Sequence, residues 1–169
     1  LEIKDFYQDD GKSNYIEKPV SYLGHIRAGE SNVYSSPKQL FRFESSEKLK
    51  HSVYFIKKQA VYNDEIFYLI SKKPSTVDGI VGWMKASDLS VHRYIAVDTD
   101  PKSFQIKGEG KAYELPWGGK KNLVFEDLSL LKKQEFSVLR TDLVGNHVWH
   151  QGLLNGELVW INEIYLKKM

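Results

Sequence analysis

The chain has no cysteine. Disulfides, thiolate nucleophiles and cysteine-based zinc sites are therefore excluded, and no such staple can substitute for a hydrophobic core. Only five prolines and two methionines occur. No apolar run approaches the ~20 residues needed to cross a bilayer, so no membrane span is expected. The first residues lack the basic and apolar regions of a secretory leader, so any export signal is expected to lie outside this sequence. Net charge is nearly absent too, at +2 over 169 residues, and no nucleic-acid partner is expected. Helical periodicity is scarce.

What the chain does have is aromatic mass. Phe, Trp and Tyr make up 13% of the residues, within a hydrophobic share of 41%. That is enough for packed cores, and it favours strands, where aromatic and β-branched side chains fit a half-buried pleat. The small net charge is unevenly spread. Residues 1–19 are net −2, residues 20–93 net +4, and residues 94–169 net zero. Affinity for a polyanion should concentrate in the first half of the chain.

A repeat organises the chain. Gly29–Tyr34 (GESNVY) aligns with Gly108–Tyr113 (GEGKAY) at an offset of 79, with Pro37 and Pro116 following at equal distance. Further on, Phe55 aligns with Phe136 and Phe67-Tyr68 with Val148-Trp149, both at 81. Val81–Met84 (VGWM) meets Leu158–Ile161 (LVWI) at 77, and Leu89 meets Leu166. Two copies result, 20–93 and 94–169, with 1–19 as a linker or the tail of an upstream module. Each copy has about 75 residues, near the lower limit for independent folding.

Within each copy the local signals are strands. Lys50–Tyr62 holds the run Val53, Tyr54, Phe55, Ile56. Ile66–Ser71 and Ile80–Lys85 flank a turn-rich stretch containing Pro74 and Gly79. The second copy repeats the hairpin as Val148–Leu154, Asn155-Gly156 and Glu157–Asn162, the dipeptide being a strong tight-turn signal. Short strands with regular turns predict an all-β chain of small barrels or sandwiches. Lys48–His51, Ala86–Leu89 and Asn162–Tyr165 are expected as single helical or 3₁₀ turns.

The combination of FYLIS, Gly82-Trp83 within GWMKASDL, GEGKAY, PWGG and the closing VWINEIYL resembles the GW module. That family consists of SH3-like repeats found in tandem in autolysins and internalin B-like surface proteins of Gram-positive bacteria. The resemblance covers about 20–169. It implies two tandem SH3-like small barrels that anchor a surface protein, such as a peptidoglycan hydrolase, to the cell wall through lipoteichoic acid. It also implies an extracellular, cell-surface location. The second copy departs from the pattern, with Val159 where the glycine of the dipeptide should stand. With its net +4 and Gly82-Trp83, the first copy is the expected binder and the second its packing partner.

A flexible, anionic polymer calls for spaced cations and shallow aromatic platforms. The candidate ligand contacts are Arg27, Tyr34, Lys57, Lys58, Tyr68, Trp83, Lys85, Tyr113, Trp117 and Trp149. Trp83 and Trp160 close the last hairpins, where a buried role as core anchors competes with ligand contact. Tyr34 and Tyr113 sit in extended segments beside prolines, and Trp117 lies in a turn between Pro116 and Gly118-Gly119. Lys72-Lys73 and Lys120-Lys121 are loop pairs suited to long-range attraction.

His147 and His150 would point to opposite faces of a strand, so a shared metal is not expected. The lysine-bearing glycine segments lack the strand–helix context of a phosphate loop. No nucleophile–base set or carboxylate pair stands out, so neither an active site nor a cofactor is expected, and the chain should be monomeric. Two alternative readings remain at this level: adhesion to host glycosaminoglycan or a host protein, and recognition of peptidoglycan peptides.

Overall fold

The computed structural model describes residues 14–169; residues 1–13, most of the expected upstream linker, lie outside the described part. The chain forms two compact units. One is built from residues up to Lys50 with Tyr54–Val91, the other from His51–Val53 with His92–Met169. Both are all-β and SH3-like, and the described residues contain no α-helix.

The first unit contains β1 (Tyr15–Ile26), β2 (Asn32–Tyr34), β3 (Phe43–Ser45), β4 (Val53–Tyr62), β5 (Glu65–Ser71) and β6 (Ile80–Lys85), then enters β7 (Leu89–Asp98). Its strand order is β1-β4-β5-β6-β2-β3. Residues 15–19, expected in the segment before the first copy, form the opening of β1. One core cluster gathers Ile26, Val33, Tyr54, Ile56, Ile70, Met84 and Leu89. Each such buried side chain contributes roughly 1.5–3 kcal/mol relative to exposure.

The second unit continues from β7 through β8 (Lys102–Ile106), β9 (Ala112–Tyr113), β10 (Leu123–Phe125), β11 (Glu135–Val144), β12 (His147–Leu154), β13 (Glu157–Asn162) and β14 (Leu166–Lys168). The order is β10-β9-β13-β12-β11, with β8 on one end of β11, β14 on β8, and β7 on the other end of β11. Phe104, Ile106, Leu128, Phe136, Val138, Leu154, Val159 and Ile161 form its core. The expected 3₁₀ turns are present at Glu47–Leu49, Ala86–Asp88 and Glu163–Tyr165.

The ladders match the two units residue by residue and correct one alignment. Lys58 opposes Leu69 and Ile70 opposes Gly82 in the first unit; Arg140 opposes Gln151 and Gly152 opposes Val159 in the second. Across β4–β5 and β11–β12 the offset is thus 82, not 81. Phe67 corresponds to Trp149, and Tyr54 rather than Phe55 corresponds to Phe136. Along a strand a one-residue slip exchanges faces, and here Tyr54 and Phe136 are the matching core residues. Both units keep the same irregularity, between Ile56 and Lys58 and between Val138 and Arg140.

The change from Gly82 to Val159 follows from a second irregularity. In the first unit the β5–β6 register shifts between Ile70 and Ser71, leaving Val81 as the extra residue of a bulge. Gly82 closes that bulge at φ +151°, where a Cβ would meet Val33 Cγ1 at 2.5 Å and the Tyr34 carbonyl at 3.0 Å. The β12–β13 ladder runs without a shift. There the neighbours are smaller: Ala112 stands for Val33 and Gly152 for Ile70, so Val159 fills the space and is fully buried. Volume is exchanged between facing positions rather than lost.

The second unit also buries a carboxylate. Asp142, fully inaccessible, accepts from the Tyr94 hydroxyl and from Arg140 Nε at 2.9 Å. Burial, and then the hydrogen bond to Asp142, hold the Tyr94 phenol above the usual tyrosine range. Beside this pair His150 is clamped between Thr141 Oγ1 and Glu163 Oε1, both at 2.8 Å, while His147 is exposed on the opposite face.

Two expectations follow. Gly82→Ala should cost about 2 kcal/mol through bulge strain and the Val33 clash, and Val33→Ala on that background should restore only part of it, read by urea unfolding. Tyr94→Phe should cost about 1–2 kcal/mol at neutral pH. Because the folded phenol's pKa is raised, its contribution is complete below about pH 10 and declines as pH rises further. Urea midpoints from pH 8 to 11 should fall for the wild type more steeply than for Tyr94→Phe.

Candidate ligand-binding groove

A cavity of about 330 Å³ opens in the second unit, lined by Gly110, Lys111, Tyr113, Trp117, Gly118, Trp149, Asn162 and Tyr165. Three of the expected contacts, Tyr113, Trp117 and Trp149, meet here. Tyr113 comes from β9 and Trp149 from β12, and their rings pack edge to face at 6.1 Å and 64°. Trp149 is nearly buried, whereas Tyr113, Trp117 and Tyr165 are half-exposed. Tyr165 is delivered by the 3₁₀ turn after β13, and Asn162 caps that turn by accepting from the Ile164 N–H at 3.1 Å.

Two glycines let the rings lie against bare backbone. A Cβ on Gly110 would stand 2.5 Å from the Tyr165 ring, and one on Gly118 would stand 2.7 Å from Tyr113 Cβ. Trp117 itself has φ +54°, which is unusual for a bulky side chain and costs on the order of 1–3 kcal/mol. Its indole rests on the His92 ring at 4.5 Å. Such strain persists only where surrounding structure enforces it, and it presents the indole at the groove wall.

The groove carries little charge. Among the described residues no carboxylate lines it, and the one cation that does, Lys111, donates to the Glu126 carbonyl at 3.0 Å. Burial, and secondarily Tyr165, raise the Tyr113 phenol, which therefore stays a neutral donor.

The matching floor of the first unit is covered. Tyr34, Phe67 and Trp83, the counterparts of Tyr113, Trp149 and Trp160, form a buried cluster with Ala60 and Leu69. Tyr15, Leu40 and Tyr62 pack against it. Tyr15 sits edge to face with Tyr62 at 6.0 Å, takes the Lys38 ammonium over its ring at 4.3 Å, and donates to Glu17 at 2.5 Å. That hydrogen bond, aided by Lys58 at 3.3 Å, lowers the Glu17 carboxyl below its ordinary range despite partial desolvation. A different hollow of about 530 Å³ in this unit is lined by Val33, Tyr34, Ser35, Arg42, Phe43, Glu44 and Val81.

The remaining candidates do not converge. Trp83 is buried opposite Tyr34, as Trp160 is opposite Tyr113. Tyr68 is half-buried against Tyr22 at 5.5 Å. Each candidate cation is engaged locally: Arg27 Nε with the Leu89 carbonyl at 3.1 Å, Lys57 with Ser21 at 2.9 Å, Lys58 with Glu17, and Lys85 with Glu65 at 3.6 Å. The sequence reading missed Tyr165, Asn162, Gly110, Lys111 and Gly118 as groove residues. The signal for two of them lay in the repeat, where Tyr165 replaces Asp88 and Asn162 replaces Lys85.

The family model for the GW (Gly-Tryp) dipeptide domain matches residues 17–90 and 102–167. The chain belongs to the GW domain family. It is thereby a cell-wall-associated binding module in two tandem copies. The bifunctional autolysins of Staphylococcus aureus strains Mu50 and NCTC 8325 are similar to it at 26% identity over 111 residues, 66% of this chain. The chain spans only 9% of the length of those curated relatives. A crystal structure of a provisionally assigned autolysin from Listeria monocytogenes shares the fold, with a TM-score of 0.51 at 15% identity over 89% of this chain and 64% of that one.

The burial pattern separates supporting from exposed aromatics in both GW units. Trp160→Ala should cost about 3–5 kcal/mol in urea unfolding. Trp117→Ala, whose ring is half-exposed and whose removal leaves a smaller residue at a strained φ, should cost less than about 1.5 kcal/mol and keep a cooperative transition.

Proposed function

We propose that this GW pair is a non-catalytic retention module that holds a longer surface protein, with peptidoglycan hydrolase activity elsewhere in its length, on the bacterial cell wall by binding lipoteichoic acid. The observation that carries the reading is an open aromatic groove in a chain whose two units both belong to a wall-binding family. Tyr113, Trp117 and Trp149 hold one stretch of the polymer. Arg27, Lys57, Lys58 and Lys85, all in the net-positive half, supply attraction along the polyanion without forming a pocket. Two modules on one chain raise effective concentration, so weak contacts suffice for firm retention at the cell surface. The similarity to autolysins supports the assignment of the longer protein.

The test is retention of the chain on lipoteichoic-acid-coated resin across a salt series. Bound fraction should fall by at least about tenfold in affinity between 50 and 500 mM NaCl, as for phosphate polymers generally. Replacing Lys57, Lys58 and Lys85 together by Ala should flatten the salt slope by up to about three. Absence of binding at 50 mM NaCl would reject the proposal.

A further inference from the structure

We propose that the groove of the second unit binds the flat face of a neutral pyranose ring of the wall, so that this unit reads a sugar while the cations of the first unit hold a charged polymer. The inference deepens the wall-polymer reading and rests on it for the source of the sugar.

Four aromatic side chains, Tyr113, Trp117, Trp149 and Tyr165, surround one cavity of about 330 Å³, at the small end of the range for ligand sites. Aromatic faces are electron-rich and attract the polarised C–H bonds that line one face of a pyranose. An acyclic glycerol-phosphate unit has no such face. The polar groups at the groove are the Asn162 amide and the phenols of Tyr113 and Tyr165, which suit hydroxyls. A site built for phosphate would present converging cations; here there is Lys111 alone, already held by the Glu126 carbonyl. An ammonium ligand is disfavoured by that same lysine.

The contrast with the first unit points the same way. The matched residues there are Lys38 for Trp117, Lys85 for Asn162 and Asp88 for Tyr165, and the aromatic floor is roofed by Tyr15, Leu40 and Tyr62. Each exchange toward the second unit removes a charge and adds a ring or an amide. Trp117 does so on a backbone conformation that bulky residues avoid.

Saturation-transfer NMR and calorimetry on the full 169-residue chain would decide it, using an N-acetylglucosamine tetramer, a glucose disaccharide, an unsubstituted glycerol-phosphate oligomer and a proline-rich peptide. The expected result is saturable binding of at least one saccharide, with transfer strongest to one ring face and affinity changing less than about twofold between 50 mM and 1 M NaCl. Response to the tetramer assigns the sugar to the glycan strand, and response to the disaccharide assigns it to a polymer substituent. Trp117→Lys and Tyr165→Asp, which install the first unit's residues, should each weaken it at least about tenfold while the chain keeps a cooperative unfolding transition. Trp117→Tyr, which keeps a ring, should retain most of it.

Silence toward both saccharides by a folded chain overturns the proposal. So does binding of the glycerol-phosphate oligomer or the peptide that is lost in Trp117→Lys. Saccharide binding in a chain that ignores lipoteichoic acid would reject the polymer reading and leave this one standing.

Discussion

The cross-strand pairing of tyrosine and tryptophan sets the geometry of each unit. Tyr34 opposes Trp83 and Tyr113 opposes Trp160 at the point where a two- or three-residue strand joins the last strand of a long hairpin. So short a strand has little ladder of its own, and large buried rings supply the area that holds it. Once β2 and β9 are pinned there, the loops after them are fixed in place. The first carries Lys38 and Leu40 and leads into Phe43 of β3; the second carries Pro116, Trp117 and Gly118. Roofing in one unit and a groove in the other both depend on that attachment.

From this common frame the units diverge by compensated exchange. The bulge at Val81 requires a glycine at position 82, and the larger Val33 and Ile70 occupy the space around it. Without the bulge the second unit places Val159 there, against Ala112 and Gly152. Loss of the glycine is thus a packing solution. The second unit also buries polar side chains, each tied to a neighbour: Asp142 to Tyr94 and the half-exposed Arg140, and His150 to Thr141 and the half-exposed Glu163. Among the described residues no buried side-chain polar atom is left without a partner. Fully satisfied interior networks of this kind rigidify the walls on which a shallow site depends.

The division of chemistry between the units follows the same lines. Positive charge is concentrated in the first half, on side chains that each have a local partner and project along the surface. In the second unit four aromatic side chains meet around one cavity, whereas in the first the exposed rings among the described residues are Phe41 and Phe43, of which Phe43 lines the other hollow. A polymer that alternates charge with rings would engage both, and the two kinds of contact respond differently to salt. The proposed roles keep the first unit as the holder of the charged polymer and give the second, expected as a packing partner, a site of its own.

Much of the architecture was legible in the residues. The runs at Val53–Ile56, Ile66–Ser71 and Ile80–Lys85, the Asn155-Gly156 turn and the GESNVY/GEGKAY match all express local rules of pleat and turn chemistry, which act over a few residues and need no partner to be read. The GW assignment rested on the same local patterns. The offset of 81 failed because an insertion of one residue in a loop leaves composition unchanged while exchanging the faces of a strand, and only the ladder reports it. The groove was legible in part: Tyr113, Trp117 and Trp149 stood among the candidates, but so did Tyr34, Tyr68, Trp83 and the four cations, which the structure does not bring to that groove. What separates the aromatic candidates of the two units is whether Tyr15, brought in at the start of β1, packs with Leu40 and Tyr62 against the aromatic cluster. That is settled by long-range packing, and only the tertiary structure could decide it.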